Sequence, residues 1–347
     1  MKILVVAPSW IGDTILAQPL FTLLKRQHPD ARIEVLAPDW SAPLLARMPE
    51  VDAVISNPFG HGEFNWTMRR ALGRRLASVD YSAAYVLPNS WKSALVPFFA
   101  GIPRRIGYHG EARYWLLNER HRLDTRTQSQ LAQLVQRYAA LAEHNIADLP
   151  RPHLDSSPAQ QAAARKALQL PSDTPPVIFC PGAEYGAAKR WPVQHFAELA
   201  RKVMRSGIPW DDAEHTPVWI IGSAKDAAIG DAIAGAASNT PHTPHTPHAL
   251  NLCGRTTLEQ AIDLIAGARW VVSNDSGLMH VAAALDRPLT ALYGSSSPAY
   301  TPPLSLDAKI ISLNLSCSPC FKRSCPLGHL DCLNHISADQ VWQSRPQ

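Results

Sequence analysis

Three short stretches of this 347-residue chain carry residue types whose spacing suits phosphate and proton chemistry. In Trp270-Val-Val-Ser-Asn-Asp-Ser-Gly-Leu-Met-His280 an apolar run gives way to a polar turn and then to helix-forming residues. The pattern predicts a buried strand, a tight turn and a helix capped by Asp275 or Ser276. The first N–H groups of such a helix lack intrahelical partners, and with the macrodipole they favour an anion such as phosphate. Gly277 lets the backbone approach a ligand, and His280 falls one turn in, on a face that reaches it. The same pattern also serves as an ordinary βα turn that binds nothing. A second turn of this kind therefore matters.

Gly182-Ala-Glu-Tyr-Gly-Ala-Ala-Lys-Arg-Trp-Pro192 is that second turn, joining a strand to a helix started by Pro192. Its spacing matches neither a Walker A loop nor the dinucleotide fingerprint, which disfavours NTP hydrolysis and hydride transfer. Lys189 and Arg190 stand just before the helix, a place suited to a diphosphate and equally to two solvated charges. Gly12-Asp13 ends the loop after the first predicted strand, where open α/β sheets expose their ligands. Asp13 there is either a helix cap or a general base for an acceptor hydroxyl. No Asp-x-Asp occurs in the chain, so the usual dicarboxylate clamp for a metal–diphosphate is missing. A departing diphosphate would then be neutralised by Lys189 and helix N-termini. Four of the six cysteines form Cys317-x-x-Cys320-x4-Cys325-x6-Cys332. One Cys-x-x-Cys knuckle is half of a typical structural zinc site, leaving zinc, reduced packing thiols and disulfides as readings, with reduced thiols favoured in a reducing compartment.

The elements that must position these residues read as an α/β fold of two doubly wound parallel sheets. At this length two domains are the natural expectation. The first half opens with strand Ile3–Ala7, loop Pro8–Asp13 and a helix to about His28, its first turns irregular or kinked because Pro19 lacks an N–H. Strands Ile33–Ala37, Val54–Ser56 and Ala84–Leu87 alternate with helical stretches near 42–48 and 66–78. A proline-rich stretch around one helical run, Ala159–Leu170, then marks a boundary. The assignment is a first domain over 1–155, a linker over 156–176, a second domain over 177–330, and a tail over 331–347 that packs back on the first domain. The second half restarts with strand Val177–Cys180 and includes a capping box at Thr257–Gln260 and strand Leu289–Tyr293. The repeat Thr240-Pro-His-Thr-Pro-His-Thr-Pro-His248 reads as a surface loop expanded by repeat slippage.

Net charge is +4, with 46% apolar and 18% charged residues. Residues 66–126 hold 11 basic against 4 acidic side chains. This segment suits an anionic partner: a phosphorylated glycolipid, an anionic membrane face or nucleic acid. No helix-turn-helix or zinc finger supports the last. No run approaches the ~20 apolar residues of a membrane span, and the apolar start is too short for a signal peptide, so a soluble cytosolic protein is expected.

Taken in order, Ile11-Gly12-Asp13, Gly182-Ala183 with Lys189-Arg190-Trp191-Pro192, and Asn274-Asp275-Ser276-Gly277-Leu278-Met279-His280 resemble the bacterial heptosyltransferases. The resemblance covers nearly the whole chain, including Cys317–Cys332. It implies a GT-B fold, two Rossmann-like domains facing a central cleft, with acceptor bound by the first and ADP-heptose by the second. The family is inverting and needs no metal or cofactor. Asp13 would deprotonate the acceptor. Lys189 and Arg190 would meet the ADP phosphates, and Asp275, Ser276 and Gly277 would hold diphosphate and sugar with His280 close by. Gly222-Ser-Ala-Lys-Asp226 occupies the place where some relatives use a Glu on the ribose, which leaves Ser223 and Asp226 as candidates there.

Arg69, Arg70, Lys92, Arg104 and Arg105, interleaved with Trp66, Trp91 and Trp115, would bind the phosphorylated lipid A–Kdo–heptose acceptor. Overall similarity favours the type II members, whose acceptor already bears one heptose, over type I. The expected location is the cytoplasmic face of the inner membrane of a Gram-negative bacterium. The rival readings are a catalytically silent nucleotide-sugar binder and a nucleic-acid binder.

Overall fold

Short β-branched runs alternating with apolar-striped stretches form two six-stranded, all-parallel sheets, one in each of two compact units, Met1–Asp155 and Ser156–Gln347. The computed structural model describes residues 1–60, 62–122, 133–143, 148–171, 174–205, 216–238 and 249–346. The Thr240–His248 repeat lies outside the described residues.

In the first unit the strands are β1 (Lys2–Val6), β2 (Arg32–Ala37), β3 (Ala53–Ser56), β4 (Ala83–Val86), β5 (Arg104–Tyr108) and β6 (Glu119–His121), in the order β3-β2-β1-β4-β5-β6. In the second they are β7 (Val177–Cys180), β8 (Val218–Ile220), β9 (Ala249–Asn251), β10 (Trp270–Asn274), β11 (Leu289–Tyr293) and β12 (Ala308–Ser312), in the order β12-β11-β10-β7-β8-β9. Counted within its own unit, each sheet has the Rossmann order 3-2-1-4-5-6. The order reverses between β1 and β4 in one sheet and between β7 and β10 in the other. Chain connections diverge at such a point and leave a crevice at the carboxyl ends of the strands. Asp13 follows β1, Lys189 follows β7 and Asp275 follows β10.

Helix α1 (Ile11–Gln27) runs unbroken through Pro19, so the expected irregularity does not interrupt it, and Asp13 lies in its first turn rather than in the preceding loop. Burial of α1 on most sides holds it: Leu16, Leu20, Phe21 and Leu24 are at most 1% exposed. The buried Gln18 ties the end of the unit to α1, its amide donating to the His153 carbonyl (2.6 Å) and accepting from the His153 N–H (2.8 Å). After α2 (Ala42–Leu45) come α3 (Trp66–Leu76), α4 (Leu95–Phe99) and α5 (Leu134–Ala139). Helices α3 and α4 approach closely at Gly73. A Cβ there would lie 2.5 Å from the Phe99 Cβ and 2.8 Å from the Val96 carbonyl oxygen.

The second unit contains α6 (Pro158–Ala167), α7 (Val193–Arg205), α8 (Ala227–Ala237), α9 (Leu258–Ala266), α10 (Gly277–Ala284), α11 (Asp331–Asn334) and α12 (Ala338–Gln343). Two expectations are corrected here. The helix expected inside the linker forms as α6, but it is capped by Ser157 and fixed by the Ser156 hydroxyl donating to Asp263 (2.8 Å), so it belongs to the second unit rather than to a linker. The tail read as packing on the first domain completes the second core instead. Leu333, Ile336 and Val341 are fully buried there, the Trp191 indole N–H donates to the Ile336 carbonyl (2.8 Å), and Asp339 pairs with Lys202 of α7 (2.7 Å).

Gly73→Val should lower stability by about 1–3 kcal/mol, because one of the opposing atoms is backbone and cannot rotate away. A urea melt showing an unchanged midpoint would contradict the packing described for α3 and α4.

Candidate active site

Asn274, the last residue of β10, builds the crevice of the second unit. Its side chain is fully buried, accepts from the Trp191 N–H (3.0 Å) and donates to the Pro181 carbonyl (2.7 Å). One amide thus pins both ends of the loop after β7 to the end of β10. Within that loop Lys189 closes a 3-10 turn (Ala187–Lys189), and its ammonium reaches the Asp275 carboxylate at 2.5 Å. The pair is nearly out of solvent, with side chains 18% and 5% exposed. An ion pair so placed is costly to break on one side, about 3–5 kcal/mol.

Asp275 does not cap α10. The cap position is Ser276, whose side chain makes no capping bond, and the Asp275 carboxylate is spent on Lys189. The first N–H groups of α10 are left without helical partners beside a fixed cation, an arrangement that favours an anionic ligand. Gly277 opens that helix.

His280 is corrected from a ligand-facing residue to a buried one, 4% exposed. Burial, opposed by Asp275 and reinforced by Lys189, depresses its pKa to about 4, so the imidazole is neutral at neutral pH.

The expected ribose contacts are also committed within the protein. Asp226 is 7% exposed and accepts from the Ser223 N–H (3.0 Å) and hydroxyl (2.7 Å), forming a capping box. Arg190 stands 3.8 Å from its other oxygen. A Cβ at Gly182 would come within 2.5 Å of the Asp226 carboxylate, so this corner requires glycine.

Several features at the crevice carry no obvious mark in the sequence. Tyr185 lies under both Lys189 (Nζ 5.1 Å from the ring centre) and Arg323 (Cζ 5.4 Å), and its hydroxyl donates to the Phe321 carbonyl (2.7 Å). The cysteine-bearing segment thereby borders the Lys189 loop, and Gly186 is required where a Cβ would meet the Arg323 carbonyl oxygen. Ser295 and Ser296, just past β11, are buried, and their hydroxyls find no partner among the described residues. Unsatisfied hydroxyls at the carboxyl end of a strand next to β10 are candidates to meet a bound polyol or phosphate. The only signal for them is the run Ser295–Ser297 after Gly294, just past β11.

All six cysteines are unpaired. Burial pushes Cys253 up to about 12 and Cys180 higher still, which makes both inert thiols. Among the described residues no group of three or more His, Cys, Asp or Glu is arranged to hold a metal ion.

In the first unit Asp13 is the third residue of α1, half-buried at the carboxyl end of β1. The helix cap is Trp10, without a side-chain capping bond, so the cap reading of Asp13 is not the one adopted. Two expected acceptor cations, Arg69 and Arg105, are corrected to internal roles, and a third, Arg104, is committed to a surface ion pair. Arg69 is 5% exposed and donates to the carbonyls of Phe64, Lys92 and Glu63. Arg105 donates to the carbonyls of Leu116 and Ile102. Arg104 makes a bidentate pair with Glu119. Backbone carbonyls draw the Arg69 and Arg105 donors inward, whereas the Arg104–Glu119 pair stays at the surface. Arg70 and Lys92 make no ion pair among the described residues, and Arg70 is exposed.

A histidine held neutral in the fold loses to protonation of the unfolded chain as pH falls. The unfolded imidazole takes its proton near 6.5 and the folded one only near 4, so the His280 contribution is lost over that window, up to ~3 kcal/mol. His280→Gln should flatten the pH dependence of the urea midpoint between pH 6.5 and 4 relative to wild type. Parallel profiles would contradict the buried, neutral imidazole.

Comparison with known proteins adds to this geometry. Residues 69–331 match the family model described as glycosyltransferase family 9 (heptosyltransferase). Lipopolysaccharide heptosyltransferase 2 of Escherichia coli K12 is 48% identical over 322 residues, covering 90% of this chain and 88% of that protein. Lipooligosaccharide heptosyltransferase 2 of Haemophilus influenzae is 46% identical over 324 residues, covering 90% and 89%. The solved structure of the E. coli ADP-heptose LPS heptosyltransferase II superposes with a TM-score of 0.84 at 43% identity, over 99% of this chain and 97% of that one. The two Rossmann-like units are those of a GT-B glycosyltransferase. The chain belongs to glycosyltransferase family 9, the heptosyltransferase family.

Proposed function

We propose that the protein transfers L-glycero-D-manno-heptose from ADP-heptose to the first heptose of the lipopolysaccharide inner core, releasing ADP at the cytoplasmic face of the inner membrane. The observation that carries this reading is the Lys189–Asp275 pair at the N-terminus of α10, in a chain nearly half identical to a lipopolysaccharide heptosyltransferase 2. A type I acceptor is less well supported, since a lipopolysaccharide heptosyltransferase 1 from Pseudomonas aeruginosa is 26% identical over 94% of the chain.

The chemistry needs one base and one cation. Asp13 takes the proton of the acceptor hydroxyl, whose oxygen attacks the anomeric carbon from the face opposite ADP. The bond from that carbon to the phosphate oxygen breaks, and its electron pair leaves with ADP, with inversion at carbon. Lys189 and the first N–H groups of α10 stabilise the charge on the departing diphosphate, so no metal is required in this scheme. Asp275 holds Lys189 in place, and Arg190 adds a second cation close by. Ser223 and Asp226 shape the nucleoside end through backbone geometry. On the acceptor side Arg70 and Lys92 remain the side chains offered to phosphate, while Arg69, Arg104 and Arg105 hold the surrounding loops.

General base catalysis typically contributes 10²–10⁴-fold. Asp13→Asn should therefore lower transfer by at least about 10²-fold while leaving ADP-heptose binding intact, because the donor lies on the second unit. The assay is incubation with ADP-heptose and truncated core acceptors, read by product mass. Transfer to the one-heptose acceptor alone is the expected result. Unchanged transfer by Asp13→Asn would remove the base from the mechanism, and transfer only to the heptose-free acceptor would replace type II by type I.

A further inference from the structure

The crevice of the second unit is bordered by a segment that the chemistry above does not use, residues 313–330 between β12 and α11. Hydrogen bonds clip this segment to two crevice loops. The Ser318 hydroxyl donates to the Gly294 carbonyl and the Phe321 N–H to the Ser295 carbonyl (2.7 Å), both just past β11. From the loop after β7, the Tyr185 hydroxyl donates to the Phe321 carbonyl (2.7 Å) and the Ala188 N–H to the Arg323 carbonyl (3.0 Å). The main chain of Arg323 is thereby anchored one residue from Lys189.

The two side chains share a ring. The Arg323 Cζ lies 5.4 Å from the centre of Tyr185 and the Lys189 Nζ 5.1 Å, so the cations are no farther apart than those two distances laid end to end. The π-face of Tyr185 attracts a guanidinium and orients it without cancelling its charge.

Charge sets Arg323 apart from its neighbours. Asp275 matches Lys189, Asp226 stands 3.8 Å from Arg190, and Glu184 pairs with Lys225. Arg323 is exposed and makes no ion pair among the described residues. A sugar diphosphate would bring two negative charges to a crevice whose other cations each face a carboxylate. The N-terminus of α10 supplies only about half a charge. Arg323 is the cation left to balance the remainder. Its planar fork can donate two parallel hydrogen bonds to one phosphate, which an ammonium cannot do.

We infer that Arg323 is a diphosphate-binding residue of the donor site, oriented by Tyr185 and carried to the crevice by segment 313–330. The inference rests on the donor reading above and adds to it a cation that no carboxylate neutralises.

The test is calorimetric titration of ADP and of adenosine into the full chain and into Arg323→Lys, Arg323→Gln and Arg323→Glu, with circular dichroism confirming that each is folded. A charge-assisted contact predicts a graded series for ADP: Arg323→Lys within about 3-fold of wild type, Arg323→Gln weaker by at least about 10-fold, and Arg323→Glu weaker still. Adenosine affinity should stay level across the series, because the nucleoside carries no phosphate. Equal ADP affinity in wild type and Arg323→Gln would overturn the inference. A parallel loss of adenosine would also overturn it, since that pattern marks a structural role, and so would Arg323→Lys binding as poorly as Arg323→Gln. Failure of the donor reading looks different. Wild type that does not bind ADP at all sinks both, whereas tight wild-type ADP binding with a flat series removes Arg323 alone.

Discussion

The electrostatics of the second unit turn on one contact, the Lys189 ammonium against the Asp275 carboxylate. Neither charge is tolerable alone at that depth. The pair is held by an amide that is itself fully committed: Asn274 bridges the Trp191 N–H and the Pro181 carbonyl and fixes the loop after β7 against the turn after β10. The consequence is a cation pre-placed beside a helix N-terminus, with little side-chain entropy left to lose when an anion binds. Such placement stabilises charge that develops on a leaving diphosphate without reorganisation at the moment of reaction. Burying His280 beneath the same turn in its neutral form avoids a second positive charge that would have to be desolvated.

The sheet order places these groups. The strand order of both sheets reverses at the centre, and the residues assigned to chemistry follow the strands at those reversals. The first unit uses its reversal for Asp13, in the first turn of α1. Several of its arginines support loops, as Arg69 does with three carbonyls and Arg113, 2% exposed, does between the loops after β4 and β5. The basic excess of residues 66–126 is therefore smaller as a surface property than as a count.

The parts legible in the sequence were those set by local pattern. Apolar runs ending in polar turns located β1, β7, β10 and β11, and the capping box at Thr257 opened α9 as its spacing required. Short elements carry no mark in the sequence, among them α4, β6 and β9, because three to five residues give no usable period. Side-chain commitment was illegible for a different reason. Arg69, Arg105 and Asp226 look available in sequence, and only the long-range positions of carbonyls and N–H groups reveal them as spent. Asp275 read as a cap because its partner lies 86 residues away. Pro19 does not break α1, since burial of the helix outweighs one lost hydrogen bond.

The central claim is that Lys189, held by Asp275, is the cationic seat of the donor diphosphate. Calorimetric titration of ADP and of adenosine into wild type and Lys189→Met tests it most directly. The account predicts that the substitution weakens ADP at least 10-fold and leaves adenosine unchanged, since only the diphosphate meets that charge. Equal ADP affinity in the two proteins, with the variant folded, would contradict it.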